Sequence, residues 1–151
     1  MTAQNLSQLK RQVTIESREN GISYTLFRNV IGKRLGLNGS DFEALDLVFY
    51  RGIATPSELS KYTGLSSGST TAMIDRLVKA SLVERRDNPD DRRGTHVVVT
   101  EDARCTVGPL FTSARVAQNA LLDSYSKEDL TVLSNYFSRS AAMFETERLH
   151  L

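Results

Sequence analysis

Residues 66–72, Ser-Ser-Gly-Ser-Thr-Thr-Ala, put short hydroxyls and a bare glycine where a helix begins. Such a helix end presents unpaired backbone N–H groups and the positive end of the helix dipole, which suit an anion such as a phosphate. Catalytic uses of the same residue types fail on spacing. Gly64, Gly68 and Ser69 hint at a phosphate-binding loop, but the lysine that such a loop needs does not follow. No Ser/His/Asp order appears. The two histidines, His96 and His150, are far apart in sequence and have no ligand-spaced partners. The single cysteine, Cys105, excludes a disulfide or a cysteine-based zinc site within one chain. It reads as a small, half-buried hydrophobe at a helix start. No catalytic residue, metal or cofactor is therefore expected, and the chemistry left is that of a binding surface.

Two helices must position that surface. Thr55 caps the first, Pro56 sits at N1, where its missing N–H costs nothing, and Glu58 at N3 completes a capping box. Gly64 ends it. Ser66 caps the second, whose positions Thr70, Ile74, Leu77 and Val78 are assigned to the core at helical spacing. Ser67, Ser69, Thr71, Asp75, Arg76 and Lys79 fall on the other face. This is a helix-turn-helix, in which the second helix is the usual reader of the DNA major groove.

The flanking sequence extends the pattern. Leu82–Arg86 reads as a strand, 87–94 as a charged loop, and Thr95–Val99 as the β-branched returning strand, a hairpin wing. Ser40, with Glu43 at N3, is assigned as the cap of a preceding helix on Phe42, Leu45, Val48 and Phe49, and Ile53–Ala54 as an extended link. A long first helix ends near Arg34 and bends near Gly21. Thr100 caps a helix that Gly108-Pro109 bends or delays, and Ser126 caps a last one running nearly to Leu151. The fold class is mainly α with a small β-hairpin. A winged helix-turn-helix lobe spans 40–100, and the long terminal helices, 1–36 and 101–151, form a dimerisation bundle. Their wide apolar stripes cannot all be buried within so small a chain, and a C2 partner would cover them.

At 151 residues with 40% hydrophobic and 25% charged content, the composition is that of a soluble globular protein. No apolar run approaches a membrane span, and the first residues lack a signal core, so a cytoplasmic protein is expected. Net charge is only +1, so any basic footprint is local.

In this order, the elements resemble the MarR family of winged-helix transcriptional regulators, from about Ile22 to Leu122. The likeness is densest in the helix pair ending Asp75-Arg76-Leu77, the Leu82-Val83 entry to the wing, and Pro89 with Asp91, Arg92 and Arg93 before a β run ending in Thr100. The chain departs from the family pattern in a longer, more polar 1–20, in Ser81 where glycine is usual, and in Val99 where leucine is usual. The resemblance implies a homodimer and a repressor of transcription on double-stranded DNA with a near-palindromic operator.

Ser66, Ser67, Gly68, Ser69 and Thr71 are the expected groove and phosphate contacts. Ala72 is placed to meet a thymine methyl, and Arg76 to hold a phosphate. In the wing, Arg92 and Arg93 are expected to reach toward the minor groove or its phosphates; the resemblance points to Arg93 as the groove residue, with Asp91 holding the wing in shape. The family also binds small anionic aromatics beside the lobe, for which Tyr24, Phe27, Arg28, Phe49 and Arg51 are candidates; the alternative for the aromatics is plain core. A winged helix that docks a protein instead of DNA is the rival reading. It calls for an aromatic or aliphatic anchor on the second helix, where this chain has hydroxyls.

Overall fold

The computed structural model describes the backbone of residues 3–88 and 91–150, and the side chains of these residues apart from 3, 4 and 91–93. The elements in order are α1 (Ala3–Arg34), α2 (Gly39–Arg51), β1 (Ile53–Ala54), α3 (Pro56–Thr63), α4 (Ser67–Lys79), β2 (Val83–Asn88), β3 (Asp91–Val99), α5 (Glu101–Leu122) and α6 (Lys127–His150). The chain divides into two compact units, Met1–Thr106 and Val107–Leu151.

The core of the first unit is built on α2. Its Leu45 and Val48 are fully buried and meet Leu59 of α3 and Met73, Ile74 and Leu77 of α4 in the same interior. Val83 of β2 and Val97 and Val99 of β3 roof it. Thr70, Met73, Ile74 and Leu77 form the buried stripe of α4, at i, i+3, i+4 and i+7. Val78 lies one step round the helix and is exposed, which corrects its assignment to the core; Met73 takes that place. At the end of α1 the chain runs close to α2. A Cβ on Gly32 would stand 3.2 Å from the Phe42 ring, so a side chain there requires the ring to give by a few tenths of an ångström.

Caps follow the sequence with one shift. Asn38, not Ser40, caps α2: its side chain accepts from the Asp41 N–H at 2.9 Å. Ser40 falls inside the first turn and donates its hydroxyl to Asn38. Both are good capping residues two positions apart, and the turn that ends α1 decides between them. Gly36, at φ +68°, reverses the chain there. The Leu37 N–H returns to the Gly32 carbonyl, so Asn38 is the first residue free to cap.

The sheet is three-stranded and antiparallel, in the order β1-β3-β2. The short link Ile53–Ala54 is therefore a strand, pairing with Val98 and Val97. The hairpin is longer than its β-branched stretch. Its ladder continues through Arg86↔His96 and Asp87↔Thr95 to Asn88↔Asp91, with an irregularity at Asp87/Asn88. Residues of low β-propensity are carried as strand because each is paired across the hairpin.

The helix after Thr100 begins at Glu101 without delay and runs through Pro109. Cys105 on it is exposed, which corrects the half-buried reading. In the second unit Ser126 and Asp129 cap α6 reciprocally. Val132, Phe137, Met143, Phe144 and Leu149 of that helix are exposed.

Candidate nucleic-acid interface

The α3–α4 pair is locked by local hydrogen bonds. Thr55 Oγ1 accepts from the Glu58 N–H, and a Glu58 carboxylate oxygen accepts from the Thr55 N–H at 2.7 Å. The Thr55 N–H and the Thr55 hydroxyl both donate to the carboxylate and hold the Glu58 carboxyl below its ordinary pKa; burial opposes them, and Arg51 and His96 add to the lowering. Gly64 adopts a left-handed conformation, φ +71°, to end α3. The Ser60 hydroxyl then reaches across the turn and donates to the Leu65 carbonyl at 2.7 Å. Ser66 caps α4 by accepting from the Ser69 N–H.

Ser66, Ser67, Gly68, Ser69, Thr71 and Ala72 are all exposed along the first turn and a half of α4. The predicted contact residues thus share one open surface, on a helix whose opposite side is buried. The Thr71 hydroxyl is occupied by the Ser67 carbonyl at 3.0 Å. Asp91, Arg92 and Arg93 lie on β3, and their side chains are outside the described residues.

Arg76 is engaged elsewhere. Its Nε donates to Asp41 Oδ2 at 2.9 Å and its Nη2 to Asp41 Oδ1 at 2.6 Å, a bidentate pair between α4 and α2. The Asp41 side chain is only 5% exposed, whereas that of Arg76 is half exposed. Hydrogen bonding to Asp41 raises the Arg76 pKa above its ordinary value, partly offset by desolvation. Two of the donors meant for a phosphate are thereby spent inside the protein. Asp41 was legible only as an acid on the α2 stripe, one turn before Leu45 and two before Val48. Two more ion pairs flank the surface: Asp75 of α4 with Arg85 of β2 at 2.8 Å, and Glu84 with Arg86 along β2.

The five candidate ligand residues do not form one pocket. Arg28 of α1 lies over the Tyr24 ring at 5.7 Å and the Phe42 ring at 5.4 Å. Its Nη2 pairs with Asp46 Oδ2 at 2.9 Å, and its Nε makes no hydrogen bond. Burial raises the Asp46 pKa, with Arg28 pulling it back. Arg28 lines a groove of about 430 Å³ with Lys33, Asn38, Gly39, Phe42 and Glu43. Phe49 and Arg51 stand at the other end of α2, where Arg51 faces Glu58 at 3.6 Å. Phe27 is half-buried on α1.

Comparison with known proteins places this geometry. Residues 37–95, from the α2 cap to the returning strand of the wing, match the MarR family model. The chain is 32% identical over 146 residues to YcgE of Bacillus subtilis, described as an uncharacterized HTH-type transcriptional regulator, covering 97% of this chain and 95% of that one. Among solved structures, the transcriptional regulator Tm0710 of Thermotoga maritima shares the fold at a TM-score of 0.63 and 18% identity, over 91% of this chain and 96% of that one. A mutant MarR of Escherichia coli complexed with operator DNA shares it at a TM-score of 0.50 and 21% identity, over 85% and 95% of the two chains. The capped helix pair, the paired wing and a likeness to YcgE along nearly the whole length together make this chain a member of the MarR family of transcriptional regulators.

Proposed function

We propose that the protein is a sequence-specific DNA-binding repressor that grips a near-palindromic operator as a homodimer. The observation that carries this reading is the exposed hydroxyl and glycine surface of α4, held on a helix whose other side is buried. That surface lets the helix start enter a major groove with its N–H groups toward phosphate. The lobe, 40–100, is the DNA-binding part; 1–36 and 101–151 form the dimerisation region. Exposed Leu6, Leu9 and Val13 on α1 and Phe137, Met143 and Phe144 on α6 support a partner subunit that covers them. Two-fold symmetry then sets the recognition helices about 34 Å apart, one turn of B-DNA.

A small anionic or aromatic effector releases the operator in this reading. The groove beside Arg28 is its seat. The guanidinium lies between two aromatic rings with its Nε making no hydrogen bond, and Lys33 adds a second cation. Among the described residues no helix is long and apolar enough to cross a membrane, and we place the protein in the cytoplasm.

Selection from a pool of random duplexes tests the reading. The bound fraction should converge on an inverted repeat whose half-sites are one helical turn apart. Recovery of unselected sequence, with retention that does not depend on the α4 hydroxyls, would overturn it in favour of a protein-docking wing.

A further inference from the structure

We infer that Asp41 is a positioning residue for sequence reading: its buried carboxylate clamps Arg76 and thereby fixes the angle at which α4 presents residues 67–72. The inference rests on the regulator reading above and assigns that surface its control point.

The clamp is well built for the task. Asp41 lies in the first turn of α2, and its own N–H is held by the capping Asn38 at 2.9 Å. Its carboxylate is nearly sealed from water and uses both oxygens on one guanidinium. A buried carboxylate without that partner is strongly disfavoured, so the pair tolerates little movement of α4 against α2. The bidentate fork also fixes orientation, which a point charge such as lysine does not. Arg76 stands near the far end of α4 from the reading surface. At 1.5 Å per residue, Ser67 and Arg76 are about 13 Å apart along the axis, so a tilt of about 10° at the clamp moves the reading end by about 2 Å. Hydrogen bonds to base edges fail over a few tenths of an ångström. Contacts from long side chains to phosphates absorb such a shift. Loss of the clamp should therefore cost discrimination before it costs general affinity.

A direct phosphate role for Arg76 predicts the opposite sign. Freed by Asp41→Asn, Arg76 would add a contact, tighten binding to every duplex and steepen the salt dependence by about one.

The test compares wild type, Asp41→Asn, Arg76→Lys and the double variant Asp41→Asn/Arg76→Gln, at a temperature where circular dichroism shows all of them folded. Probes are a duplex selected by the wild-type protein from random sequence and a scrambled duplex of the same composition. The ratio of their affinities should fall about tenfold in Asp41→Asn, one good base contact's worth. Arg76→Lys should fall as far, the double variant no further, and the salt slope should stay unchanged. An unchanged ratio, tighter binding with a steeper slope, or full retention by Arg76→Lys would overturn the clamp. Amide hydrogen exchange gives a readout without DNA. Exchange in α4 should accelerate in Asp41→Asn while the α3 interior stays as in wild type, and no change in α4 would also overturn the proposal. Failure of the wild-type protein to select any sequence would instead sink the regulator reading, leaving the exchange result to decide the clamp.

Discussion

The Thr100 hydroxyl donates to the Ser81 carbonyl at 2.6 Å, joining the entry of the wing to its exit. Ser81 holds a left-handed backbone, φ +58°, in the turn that closes α4. Its N–H bonds the Val78 carbonyl and the Leu82 N–H bonds the Leu77 carbonyl, the Schellman pattern that glycine usually completes. Ser81→Gly relieves the strain of a side chain at positive φ and should stabilise the fold by about 0.5–1 kcal/mol. Thr100 also accepts from the Ala103 N–H, so Thr100→Val removes both bonds and should cost about 1–2 kcal/mol. Chemical denaturation of the two variants checks both signs.

Gly68 should show opposite signs for stability and binding. A Cβ built there meets nothing within 4 Å, so the fold itself does not require glycine. Gly68→Ala should raise stability by up to about 1 kcal/mol, the helix-propensity gain. It should weaken binding to the selected duplex, because a methyl group now stands between backbone and DNA. Melting curves and titrations on the same preparation decide it; a stabilised variant that binds as tightly as wild type would show that close approach is not used.

Acid should unfasten the start of α3. Glu58 has a folded pKa below its ordinary 4.5 because Thr55 donates to its charged form. A depressed carboxylate contributes stability above the unfolded value and loses it as pH falls through the folded one. Glu58→Gln should therefore be less stable than wild type near neutrality, and the gap should close below the ordinary glutamate range. Asp46 works in the other direction, since burial raises its pKa: its contribution favours the fold at low pH and is lost as pH rises through the raised value. Thermal melts of wild type and Glu58→Gln across pH 3–7 isolate the first contribution.

The wing and the helix should fail differently. Arg76, Arg85 and Arg86 are held by Asp41, Asp75 and Glu84, and Arg92 and Arg93 are the wing cations that we propose face DNA. Arg93→Ala should weaken selected and scrambled duplexes alike and reduce the salt slope by about one. Ser69→Ala should change which sequences are preferred and leave that slope alone. Titrations at several salt concentrations separate the two, and an unchanged slope for Arg93→Ala would remove the wing from the interface.

Much of this could be read before any coordinates, because the signals were local. Thr55, Pro56, Glu58, Gly64 and Ser66 each act within four residues, and the structure uses each as spacing predicts. What escaped was set by partners distant in sequence. Asp41 and Arg76 are 35 positions apart, and nothing beside Arg76 shows that two of its donors are spent. Ile53 and Ala54 became strand only because β3 returns beside them. Met73 and Val78 are both apolar, and which one faces inward depended on the exact phase of α4, set by tertiary packing. The groove beside Arg28 forms where Gly32 of α1 meets Phe42 of α2, residues ten positions apart on two helices.

The pairing of Ile53 with Val98 has a consequence for how the lobe assembles. Contacts of α2 with α3, and of α3 with α4, join neighbours in sequence and form early. The two rungs of β1 on β3 tie together points about 45 positions apart, at an entropic cost of about 3 kcal/mol. That closure therefore comes late in folding. Once made, it brings the start and finish of the helix-turn-helix and wing onto adjacent strands. The segment between leaves and rejoins the chain at a single place, so it loosens or re-forms as one cooperative block together with the α2 face on which it packs.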